Sequence, residues 1–173
     1  EAVAGFEKCL ALNDDALEIY MGFTDVLSFL GDFIDAIHTL IKAQEIYKGT
    51  DVTIVACGHM VWKSIEAAKV LTEKGVSVEL INMHTIKPLD VSAILSSVTK
   101  TGCVVTAEEH MANGGLGEAV AQVLSKNHPC PHEFVAVDDS FGESGKPMDL
   151  LDKYGLGTSN IVEAVERAIG RKN

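Results

Sequence analysis

Apolar residues recur along the chain with two different periods. Up to about residue 41 the spacing is helical. Ala2, Val3, Phe6 and Leu10 line a first stretch that breaks at Asn13-Asp14-Asp15. A second stretch covers 16–30 and closes at Gly31-Asp32, and a third starts at Phe33 and repeats at Ala36, Ile37, Leu40 and Ile41. From Gly49 onward, short β-branched runs alternate with helical ones. The pattern predicts strands over 52–57, 76–82, 103–106 and 134–137. It predicts helices over 61–74, from an Asp90 cap through Ser97, over 115–125, and from Pro147 through Tyr154. A last helix, capped by Thr158 or Ser159, runs through Ile169.

Such alternation specifies right-handed crossovers and a mostly parallel sheet covered on both faces, a three-layer α/β/α fold with an α-helical segment before it. In sheets of this kind ligands and partners gather at the carboxyl ends of the strands. Three segments are therefore expected to crowd one edge: Gly58-His59, the loop from Met83 that carries His84 and Lys87, and Ala107 to Gly117.

Composition narrows the function classes. With 173 residues, 47% of them hydrophobic and 23% charged, the chain is an ordinary globular protein rather than a disordered, collagenous or coiled-coil one. No apolar run approaches the roughly 18–20 residues that cross a bilayer, and the first residues lack the positive start and apolar block of a secretory signal. A net charge of −11 argues against nucleic acid and anionic membranes as partners, since both draw affinity from Lys and Arg. The four cysteines are scattered without a Cys-x-x-Cys pair, and Cys57 and Cys103 sit in apolar strand-like runs, which suits a reducing, cytoplasmic location.

The two periods also differ in composition. No proline precedes Pro88, six of the ten aromatics fall before residue 49, and residues 1–48 carry nine acids against three bases. Within that head, Glu-Ala-Val-Ala-Gly-Phe-Glu-Lys (1–8) aligns with Asp-Ala-Ile-His-Thr-Leu-Ile-Lys (35–42), a spacing of 34 residues. Together with Leu30-Gly31-Asp32-Phe33 and Ala36, that period resembles the tetratricopeptide repeat. Two units are expected, a tetratricopeptide-like helical segment over 1–41, with a peptide as its possible partner, and an α/β domain over 42–173. A generic amphipathic helical hairpin is the alternative for the first.

Candidate chemistry centres on the third strand. Glu108-Glu109-His110 sets carboxylates beside an imidazole, and Gly114-Gly115-Leu116-Gly117 opens a helix whose free N–H groups suit an anion. Glycine-rich turns of this kind also serve close packing, so a structural or interface role competes with both readings. A small-anion or nucleotide site near Gly58 and Gly114–Gly117 is a further possibility, although neither dinucleotide nor phosphate-loop motif is complete. His128-Pro-Cys-Pro-His132 has soft ligands but no second pair, and is expected to be a surface turn. The resulting candidates for interface or anion contact are Gly58, His59, His84, Lys87, Glu108, Glu109, His110, Gly114, Gly115 and Gly117. No catalytic, cofactor or metal residue is assigned.

Six blocks in order carry a family resemblance: Asp51-Val-Thr-Ile-Val-Ala-Cys-Gly58, Thr85-Ile-Lys-Pro-Leu-Asp90, Val105-Thr-Ala-Glu-Glu-His110, Gly114-Gly-Leu-Gly-Glu-Ala119, Ser144-Gly-Lys-Pro147 and Leu150-Leu-Asp-Lys-Tyr-Gly155. Over about 125 residues the body resembles the C-terminal domain of transketolase-like thiamine diphosphate enzymes. The resemblance implies ketol transfer between sugar phosphates in the complete enzyme, with thiamine diphosphate and Mg held by two preceding domains. It implies a third domain that is non-catalytic alone, serves assembly and a homodimer, and binds no cofactor itself. A five-stranded sheet with an antiparallel first strand is implied too, and Lys42 to Gly49 fits that strand, placed at 43–48. The chain is then either such a domain behind a helical segment, the C-terminal subunit of a split enzyme, or an interaction module using its helices.

Overall fold

The computed structural model describes residues 47–172. The chain divides between Tyr47 and Lys48, and all the described residues but Tyr47 belong to the second unit. That unit holds four strands, β1 (Val52–Ala56), β2 (Val78–Asn82), β3 (Val104–Met111) and β4 (His132–Val137). Around them lie five helices, α1 (Met60–Glu73), α2 (Val91–Thr101), α3 (Leu116–Asn127), α4 (Pro147–Lys153) and α5 (Thr158–Gly170). None is long and apolar enough to cross a membrane.

The strands form one sheet in the order β2-β1-β3-β4, and every pairing is parallel. All five residues of β1 are buried, as a central strand covered on both faces requires. Because the chain steps from β1 outward to β2 and then back across to β3, right-handed crossovers place helices on opposite faces. Helix α1 packs against α5 on one side, and α2 packs against α3 on the other. Between the second helix pair and the sheet lies a core of Val55, Ile81, Ile94, Val98, Leu116 and Val120 with their neighbours.

The sheet corrects the expectation of five strands with an antiparallel first one. Four strands occur among the described residues, and the first of them is parallel to the rest. The strand expected over 43–48 falls outside the described residues except at its end, where Lys48 makes an isolated antiparallel bridge to Glu79. The tetratricopeptide-like segment over 1–41 lies outside them altogether.

Three boundaries move for physical reasons. Helix α2 runs past Ser97 to Thr101 because those two hydroxyls meet the buried Thr53 hydroxyl of β1, at 2.7 and 2.6 Å, so polar residues sit on its inner face. Its end is set by Gly102, at φ 74°. Strand β3 runs past Thr106 to Met111, following β4 through an irregularity and rejoining it where Met111 pairs with Val137. Helix α5 is entered through Gly157, whose N–H donates to Asn160 Oδ1 at 3.1 Å. Thr158, expected as a cap, instead donates its hydroxyl to Glu66 of α1 at 2.5 Å.

Candidate functional site

Parallel register brings the ends of β1 and β2 level, with Ala56 opposite both Asn82 and Ala107, and β3 continues past them to Met111. The three expected segments therefore do leave the sheet at one edge. Gly58 turns there at φ 58°, a conformation glycine adopts without strain, and both Gly58 and His59 are exposed. His59 caps α1 by position only, with no side-chain hydrogen bond. Met83 continues β2 by donating its N–H to Ala56 O at 2.8 Å and is buried, whereas His84 and Lys87 beyond it are exposed.

Glu108 is the organising side chain. It is 1% exposed, and its carboxylate accepts the N–H of Leu116 at 2.6 Å and of Gly117 at 2.8 Å. These are the unpaired donors of the first turn of α3, where the helix dipole also favours a negative charge. The position an anion would take at this helix start is thus held by the chain's own carboxylate. Gly115 and Gly117 are explained by the same packing. A Cβ on Gly115 would lie 2.1 Å from Glu108 Oε2, and one on Gly117 would lie 2.3 Å from the Phe134 ring. Gly114, at φ 85°, donates its N–H to Glu118 at 2.9 Å.

Glu109 and His110 do not join Glu108. Both are exposed, and the His110 Nδ1–H donates to Met111 O at 2.8 Å. The carboxylate–imidazole pairing suggested by the tripeptide is not formed, because one member is drawn under α3 and the others point outward. Cys57 follows β1 at the same edge and is half-buried. Burial, and next the Glu108 carboxylate, push the Cys57 thiol up from its ordinary value.

Beside the Glu108 turn, the loop after β2 and helix α3 enclose a groove of about 630 Å³. Ile86, Leu89 and Val91 form one wall and Ala119 and Val123 the other, with Lys87 and Lys126 on the rim. Ile86 and Val91 remain 41% and 39% exposed. Periodicity did not mark these residues, since they fall in a loop and at a helix start. The signal available was the density of apolar residues in Thr85-Ile-Lys-Pro-Leu-Asp-Val91, which exceeds what a solvated loop needs.

The segment expected as a surface turn, His128 to His132, joins the sheet at its end, where His132 is half-buried. His132 opens β4, its Nε2 lies 3.0 Å from Thr106 Oγ1, and its ring stacks on Phe134 with centroids 4.1 Å apart. Burial chiefly pushes this imidazole down to about 4, with Arg171 acting in the same direction and Glu133 against it. Glu133 itself is paired with Arg167 at 3.0 Å and with Arg171, contacts that hold its carboxyl below the usual range although desolvation opposes them.

The family described as "Transketolase, C-terminal domain" matches residues 41–161. A curated relative, "6-deoxy-6-sulfo-D-fructose transketolase subunit SqwH" of Clostridium sp. (strain MSTE9), is 46% identical over 135 residues, covering 78% of this chain and 42% of the relative. One of the subunits of an apulose-4-phosphate transketolase from Phocaeicola vulgatus is 38% identical over 120 residues, covering 69% and 38%. Among solved structures, "Split gene transketolase, inactive beta4 tetramer" superposes with a TM-score of 0.71 at 48% identity, covering 73% of this chain and 42% of that one. The chain thus spans about two fifths of the length of these relatives.

Proposed function

We propose, from the premise that the chain belongs to the transketolase C-terminal domain family, that it is the assembly portion of a split transketolase whose ketol transfer needs a second polypeptide. The observation that carries this reading is the Glu108 carboxylate seated on the first turn of α3, at 2.6 and 2.8 Å from its donors. It turns the one glycine-rich strand-to-helix turn of the described residues into a packing element. The relatives point the same way, since two are named as transketolase subunits and one as a split-gene transketolase.

Thiamine diphosphate and a divalent cation, which the family implies, do not fit the described residues. A diphosphate at the glycine-rich start of α3 would meet the Glu108 charge, and among the described residues no group of three or more His, Cys, Asp or Glu side chains could hold a metal. The cofactor is accordingly assigned to the partner polypeptide, and no chemical step to this chain. Calorimetric titration of the chain with thiamine diphosphate and Mg is expected to give no binding heat, and a saturable signal would contradict the assignment.

Assembly in this reading has two sides, the cofactor-holding subunit and further copies of this chain, as in the relative described as a tetramer. The exposed candidates at the strand ends, Gly58, His59, His84, Lys87, Glu109 and His110, are assigned to contact with these partners rather than to anion binding. The 34-residue spacing in the first 42 residues supports a tetratricopeptide-like segment that takes a peptide. Deleting residues 1–41 should abolish capture of such a peptide while leaving the α/β domain folded.

A further inference from the structure

We propose that Phe141 of one copy of this chain docks into the groove between the Ile86–Val91 segment and α3 of a second copy. This deepens the assembly role and rests on it only for its place in the enzyme. Phe141 is 100% exposed, and the next most exposed large apolar side chain among the described residues is Met148, at 52%. An aromatic ring left wholly in water on a braced loop has the character of an interface anchor. The bracing is specific. The Tyr154 hydroxyl donates to Phe141 O at 3.1 Å, Glu143 pairs with Lys153 at 2.5 Å, and Gly145 fits closely against Leu150. A loop held in this way gives up little further entropy when the ring is buried.

Charge selects the occupant. Asp138 and Asp139, which precede the ring, are exposed and have no ion-pair partner among the described residues. Lys87 and Lys126 on the rim of the groove are likewise exposed and unpaired among them, in a chain whose net charge is −11. One surface thus offers a free phenyl ring with two free carboxylates. The other offers a groove of about 630 Å³ whose apolar residues lie between two free ammonium groups, while the carboxylate in its lining, Glu118, accepts the Gly114 N–H. Because Phe141 is fully exposed, it does not occupy the groove of its own chain. The fit is to another copy, either reciprocally about a two-fold axis or head to tail.

Sedimentation velocity on the full 173-residue chain tests the contact, with circular dichroism confirming that each variant is folded. The wild type is expected to self-associate, more weakly as salt is raised. Phe141→Ala should weaken association about thirtyfold or more. Lys87→Glu/Lys126→Glu and Asp138→Lys/Asp139→Lys should each be monomeric alone and should associate on mixing, because a reversed groove then meets a reversed loop. A monomeric wild type, association indifferent to Phe141→Ala and both reversals, or a mixture that stays monomeric would each overturn the contact. None of these readouts involves cofactor or turnover, so the contact can fail while the split-enzyme reading stands.

Discussion

Glu108 sits where a carboxylate is costly unless every lone pair that matters is answered. At 1% exposure it is answered by two backbone N–H groups and the positive end of α3. Removing it leaves those donors buried without an acceptor and opens a void beneath the helix. Glu108→Ala should therefore lower the unfolding free energy by about 2–4 kcal/mol, measured by chemical denaturation. Gly115→Ala, which drives a methyl group toward the same carboxylate, should cost a comparable amount, about 1–3 kcal/mol. Glu109→Ala and His110→Ala, both at exposed positions, should stay within about 0.5 kcal/mol of wild type. An equal loss at all three positions of the tripeptide would contradict this division of roles.

Between elements, β4 and α5 are joined by Glu133 to Arg167 and Arg171, while His132 faces Thr106 of β3. The His132 imidazole is held at about 4, below the usual histidine value near 6.5, so the unfolded chain takes up a proton before the folded one does. Its contribution to stability is complete above about pH 6.5 and is lost as pH falls toward 4. Over that window His132→Gln, which keeps a partner for Thr106, should flatten the decline in melting temperature seen in the wild type. A variant as acid-sensitive as the wild type would place the titrating group elsewhere.

The same elements mark how far the sequence could be read. β1 was plain because a fully buried parallel strand must be an apolar, β-branched run, and 52–56 is one. Asp90 was plain as a cap, and its carboxylate accepts Ala93 N–H at 3.0 Å. The sequence pattern ends α2 and β3 too early because polar residues are read as facing water. Thr101 and Glu108 face inward instead, each answered by a partner distant in sequence or across a turn. The alternation of strands and helices was enough to place the three edge segments, since parallel strands must all end on one side. Which of Glu108, Glu109 and His110 turns inward depends on the irregularity between Ala107 and Met111, a feature of strand pairing that no local pattern encodes.

At the scale of the molecule, the described domain is a parallel sheet whose carboxyl edge carries the Glu108 turn, a groove and exposed histidines. The proposed division of labour follows: the partner polypeptide binds thiamine diphosphate and performs the transfer, and this chain supplies surfaces that hold the assembly together. Ketol transfer from a ketose phosphate to an aldose phosphate, assayed with each polypeptide alone and then with both, tests that division most directly. The expected result is no turnover from this chain, and turnover when the cofactor-holding partner is added. Turnover by this chain alone, supplied only with thiamine diphosphate and Mg, would contradict it.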